Sequence, residues 1–104
     1  QDGFVINGLV IENTITKVGR DFYKYFYSQF YNMEIATRHD IEIEEVPSRG
    51  RMTMITVKVS DQPILRFFGQ PKKEYLRQMA KVAMQRSLAQ LQKLDQQNTN
   101  FKHY

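Results

Sequence analysis

Glu42 and Glu44 stand two residues apart in Ile41-Glu42-Ile43-Glu44, so on an extended chain both carboxylates leave from the same side. A carboxylate pair within mutual reach is the equipment of general acid–base catalysis. Nothing in the sequence completes such a site, because no pocket-forming glycine and no acid of different character accompanies the pair. A solvated strand face accounts for it better. His39 and His103 are the only imidazoles, and His39 has no matching ligand partner. The absence of Cys excludes a thiolate nucleophile, a disulfide and any Cys-based zinc or iron–sulfur site. Gly50 stands alone, so there is no glycine-rich phosphate loop. The expectation is a protein without catalytic residues, cofactor or metal.

What remains is the chemistry of binding. Phe22, Phe26 and Phe30 recur every four residues, and Tyr23, Tyr27 and Tyr31 follow one position later, about 100° further round a helix. If the phenylalanines face a core, the tyrosines form a stripe largely off it, offering apolar area with a polar tip. That stripe either flanks a helix–helix contact or meets a partner. Met52 and Met54 alternate with Thr53 and Ile55, and Phe68 alternates with Phe67, so each of these strands has two apolar sides. One side belongs to a core. The other carries Met and aromatic surface that self-association, a partner or the N-terminal arm would cover, and Met suits contact with varied partners.

The elements that position these residues read in the order α-β-β-β-α within 104 residues, enough for one domain. The first helix is expected from about Thr14 or Thr16 to about Tyr31, with Ile15, Val18, Phe22, Phe26 and Phe30 along one stripe. Gly19 lies early in it, where close approach of another backbone would offset its cost. Ile41–Glu44, Met52–Val59 and Ile64–Phe68 read as strands, with Pro47 ending the first and Ser60-Asp61-Gln62-Pro63 turning between the last two. Pro71 opens a long helix, whose Leu76, Met79, Ala80, Ala83, Leu91 and Leu94 share a face. The expected fold is α+β, a three-stranded antiparallel meander with both helices on one face. Residues 1–12 are expected as an extended arm, 13–95 as the domain and 96–104 as a flexible tail. No apolar run approaches the ~18 residues of a membrane span. The chain starts Gln1-Asp2 without a leader, which reads as a processed or trimmed form.

Charge is distributed unevenly. Residues 1–48 carry a net −4 and residues 49–104 a net +8, together the formal +4. Such a split suits subunits meeting head to tail, the basic half of one against Glu42, Glu44 and Glu45 of the next, in an assembly weakened by salt. It also raises the alternative of a small nucleic-acid-binding protein using Lys72, Lys73, Arg77 and Lys81. Against that, Arg77 and Lys81 have no aromatic stacking platform beside them, and the acidic strand would repel phosphates. A client-free oligomeric scaffold is the third reading.

Taken in order, Gly8-Leu9-Val10, Thr14-Ile15-Thr16, Gly19-Arg20-Asp21-Phe22-Tyr23, Ile41-Glu42-Ile43, Glu45-Val46-Pro47-Ser48, Ile55-Thr56-Val57-Lys58-Val59, Phe67-Phe68 and Pro71 make the chain resemble the curli production assembly/transport component CsgE family over about residues 8–94. The resemblance implies a non-enzymatic, chaperone-like adaptor in the periplasm, serving secretion of a functional amyloid for biofilm. It implies a ring-like homo-oligomer that caps the outer-membrane curli secretion channel (CsgG) and engages the unfolded amyloid subunit (CsgA). No nucleic acid and no membrane insertion are implied. Members tend to carry Trp in the lead-in to the middle strand, where this chain reads Arg49-Gly50-Arg51-Met52-Thr53-Met54. They commonly carry an aromatic before Pro71, where it has Gln70. The candidate partner and oligomer contacts are therefore Tyr23, Tyr27, Tyr31, Glu42, Glu44, Arg49, Arg51, Met52, Met54, Phe68 and Gln70.

Overall fold

Thr16 has an extended backbone and its Oγ accepts the Gly19 N–H at 3.3 Å, which fixes where the first helix begins. The computed structural model describes residues 8–101. In chain order its elements are β1 (Val10–Asn13), α1 (Lys17–Asn32), β2 (Ile41–Pro47), β3 (Thr53–Val59), β4 (Gln62–Phe68) and α2 (Lys73–Phe101).

The α+β class holds, and β2, β3 and β4 form the antiparallel meander. The three-stranded sheet does not hold. β1 pairs in parallel with β2, Val10 opposite Ile41 and Asn13 opposite Glu44, so the sheet is mixed and runs β1-β2-β3-β4. Parallel neighbours need a crossover, and α1 is that crossover. Residues 10–12 of the expected arm are thus sheet, running along the edge of β2 rather than across the open face. Residues 1–7 lie outside the described residues.

Both helices cover one face. Ile41, Ile43, Ile55, Val57 and Val59 are fully buried there, under Phe22 and Phe26 of α1 and Leu76, Ala80, Ala83 and Met84 of α2. Phe22 meets Phe67 of β4 edge-on, with ring centres 4.9 Å apart. Each large apolar side chain enclosed in this way contributes roughly 1.5–3 kcal/mol. The long helix presents its expected face, with Lys81, Gln85 and Gln92 exposed on the other side.

Five local expectations change. Ile15 precedes the helix and is exposed rather than part of its stripe. Gly19 makes room for a side chain, not a backbone, since a Cβ there would overlap the Glu45 carboxylate. Pro71 stands two residues before the first helical residue; the Leu76 N–H bonds the Lys72 carbonyl at 2.9 Å, so Lys72 rather than Pro71 leads in. Helix α2 continues through residues 96–101, past the expected start of the tail, while 102–104 lie outside the described residues. The turn between β3 and β4 is tighter than expected. Only Ser60 and Asp61 form it, with φ of 49° and 68°, and β4 already begins at Gln62.

Candidate functional site

The open face of the sheet is ordered in rows across the strands. Register sets Val46, Met54 and Phe68 side by side, then Glu44, Thr56 and Arg66, then Glu42 and Lys58. The first row is apolar, and Val46 and Phe68 in it are exposed while Met54 is half-buried. In the second, Arg66 Nε donates to Thr56 Oγ at 3.3 Å. Lys58 Nζ lies 3.1 Å from Glu44 and ties the charged rows together. The face is therefore graded, apolar at the end near the β2–β3 link and ionic toward the other.

That link extends the apolar end. The Ser48 N–H bonds the Met52 carbonyl at 2.9 Å, and the Met52 N–H bonds the Arg49 carbonyl at 3.2 Å. Gly50 supplies the left-handed residue, φ 64°, with open space where a Cβ would be. Arg49, Arg51 and Met52 are all exposed around it. Gln70 is exposed at the same end, because the neighbouring Gly69 N–H bonds the Thr53 carbonyl at 2.9 Å. Of the candidate residues, Met52, Met54, Phe68, Arg49, Arg51 and Gln70 are thus gathered at one end of the molecule. Val46 joins them, a residue that the sequence reading missed although its register follows from the hairpin.

Glu45 is not part of any acidic surface. It is buried on the helix-covered side and accepts from the Ile15 N–H at 2.6 Å, the Thr16 N–H at 2.8 Å, the Thr16 hydroxyl and the Thr53 hydroxyl at 2.8 Å. Burial alone would push its carboxyl up, but the hydrogen bonds from Thr16, Ile15 and Thr53 outweigh that and hold it below the ordinary carboxylate value. With Glu44 paired to Lys58, the acidic strand offered to a neighbour shrinks to Glu42 and part of Glu44.

The tyrosines form a second, separate surface. Tyr23 stacks on Tyr27 with ring centres 5.7 Å apart, and Tyr27 on Tyr31 at 6.2 Å. Exposure rises along this ladder: Tyr23 is half-buried, Tyr27 is 42% exposed and Tyr31 69%. Burial, with the charge of Glu12 added, pushes the Tyr23 phenol up. The ladder borders a groove of about 470 Å³ lined by Val10, Tyr27, Phe30, Tyr31, Glu34 and Ile35, beside β1.

On the other flank of α1 the basic residues of α2 meet an aromatic after all. The Arg77 guanidinium lies over the Tyr25 ring, 5.3 Å from its centre, which corrects the expectation that none stood beside it. This contact clasps α1 to α2, and Arg77 remains exposed alongside Lys72, Lys73 and Lys81. No helix among the described residues is long and apolar enough to cross a membrane.

The family model described as curli assembly protein CsgE matches residues 6–103, nearly the whole chain. The chain belongs to that family, a family of curli assembly accessory proteins. No curated protein matches it closely enough for comparison.

Proposed function

From this membership we propose that the protein works by binding alone, as a periplasmic accessory factor of curli secretion. It caps the outer-membrane secretion channel as a ring-like oligomer and engages the unfolded amyloid subunit, delaying premature aggregation. The observation that carries this reading is the family match over residues 6–103. The surfaces support it: an apolar row of exposed Val46 and Phe68 with half-buried Met54 between them, flanked by exposed Met52, meets a partner without any chemistry at the contact. Confinement beside the pore makes outward escape of the client entropically favourable, so no nucleotide is required.

Two measurements test the reading. Native mass with and without the channel is expected to reveal a complex carrying several copies of this chain. Fibre formation by a curli-type subunit is expected to show a longer lag at comparable molar ratio. A chain that stays monomeric and never joins the channel overturns the capping role, and an unchanged lag overturns client binding.

A further inference from the structure

The two edges of the sheet are finished differently. In β4 the backbone groups of Arg66 and Phe68 point away from β3, because the Gly69 N–H bonds the Thr53 carbonyl and sets the alternation. That edge is obstructed at several points, with the outward Arg66 backbone groups left between them. Pro63 has no N–H to offer, and the ladder is shifted between Val57 and Lys58. Arg86 donates to the Ile64 carbonyl at 3.2 Å, and the Tyr75 hydroxyl donates to the Phe68 carbonyl at 3.0 Å. These are the devices by which natural sheets prevent strand addition.

β1 has no proline, no register shift and, among the described residues, no side chain on its outward groups; its protection is its length of four residues and the charge of Glu12. The Ile41 N–H bonds the Leu9 carbonyl, so Leu9, Ile11 and Asn13 direct their backbone toward β2, while Val10 and Glu12 direct theirs outward. Among the described residues nothing bonds those outward N–H and C=O groups. Apolar side chains flank the edge on both sides, with Glu12 and Asn13 exposed beside them. Leu9 and Ile11 are exposed near the open face, and Val10 borders the groove lined by Tyr27, Phe30, Tyr31 and Ile35. On the groove side the acids are Glu12 and Glu34, and no base lines the groove; on the open-face side Ile11 borders Arg38, Asp40 and Glu42.

We propose that the outer edge of β1 seats one extended strand of the client, added by backbone hydrogen bonds to Val10 and Glu12. Alternate client side chains enter the tyrosine-bordered groove, and the charge of Glu12 and Glu34 favours a segment that carries Lys, Arg or amide side chains between apolar or aromatic ones. Backbone pairing takes any β-prone sequence, which is what an unfolded client requires. The proposal rests on the adaptor reading above.

The test is amide hydrogen exchange on the full chain with a synthetic peptide alternating Tyr or Val with Lys or Gln. The Val10 and Glu12 amides are expected to exchange freely in the isolated protein and to slow at least about tenfold when the peptide is bound. The same peptide N-methylated at alternate positions is expected to give no protection. Glu12→Pro removes an outward donor without touching the bonds to β2, and Tyr31→Ala trims an exposed ring; each is expected to weaken the peptide at least about tenfold. If Glu12→Pro disturbs the fold, Tyr31→Ala and the N-methylated peptide decide. Amides of Val10 and Glu12 that are already protected in the isolated protein overturn the proposal, as does peptide binding that leaves them unchanged. A subunit lag lengthened equally by wild type and both variants removes the edge but keeps the adaptor. No lengthening by wild type removes the adaptor, and the peptide exchange then still decides the edge.

Discussion

Glu45 is the residue on which the entry to α1 depends. Just ahead of α1 a carboxylate from β2 reaches across the fold, taking the amide of the N-cap Thr16 and that of Ile15 before it, while also binding Thr53 of β3. Three elements meet on one side chain, and Gly19 is small enough to admit it. Glu45→Gln puts an amide donor among these donors and is expected to cost about 2 kcal/mol, since hydrogen bonds to a buried charged acceptor are among the stronger ones. Gly19→Ala is expected to destabilise as well, by displacing the carboxylate. The pH dependence has a definite sign. The folded state holds the carboxyl below its ordinary value, so its contribution is complete above the usual carboxylate range and is lost as pH falls through the lowered value. Thermal melts between neutral and acid pH are expected to fall more steeply for wild type than for Glu45→Gln; parallel slopes would contradict the assignment. None of this was legible beforehand, because Ile41-Glu42-Ile43-Glu44-Glu45 reads as one acidic run. Its last member differs only by facing inward.

At the scale of elements, local pattern reads well and non-local pairing reads poorly. The four-residue spacing of Phe22, Phe26 and Phe30 located α1, and the alternation in Met52–Val59 located β3, since each signal lies within its own segment. β1 escaped because a four-residue strand shows almost no period, and its partner lies beyond an entire helix. The turns are the elements' weakest fit to their sequence. Glu34, just past α1, and Asp61, in the β3–β4 turn, hold φ of 50° and 68°. Glycine takes this region without the cost a Cβ imposes. Glu34→Gly and Asp61→Gly are each expected to stabilise by about 0.5–1 kcal/mol, visible as a melting temperature raised by a few degrees. Because the two sites lie on different connections, the gains should add. A loss at either position would mean that its side chain makes a contact outweighing the strain.

At the scale of the whole molecule the two candidate surfaces are distinct. One end of the open face carries Val46, Met54 and Phe68 with the Arg49–Met52 link, while the tyrosine ladder lies across the sheet on the helical side, next to β1. The sequence listed nearly all of these residues but could not sort them into two groups, because that sorting is made by the packing of α1. The charge split also changes meaning. Glu45 is enclosed and Glu44 is engaged by Lys58, so a head-to-tail assembly has less acid to work with than the −4 half suggests. For the proposed ring, Phe68→Lys is expected to weaken self-association at least about tenfold, and more than salt raised to about 0.5 M does, since salt screens exposed charges but not an apolar contact. Sedimentation of the two samples side by side checks this; an oligomer that ignores Phe68→Lys and dissociates in salt would return the interface to the charges.

The unequal edges carry a consequence that polymer chemistry names directly. A growing amyloid extends because every added strand presents a fresh edge like the one it covered. On the proposal above, a sheet open at β1 and obstructed at β4 by Pro63, Arg86 and Tyr75 is monofunctional. Under the proposed pairing it covers one strand edge and offers no second edge of its own, so a fibre end that it covers has nothing on its far side to extend from.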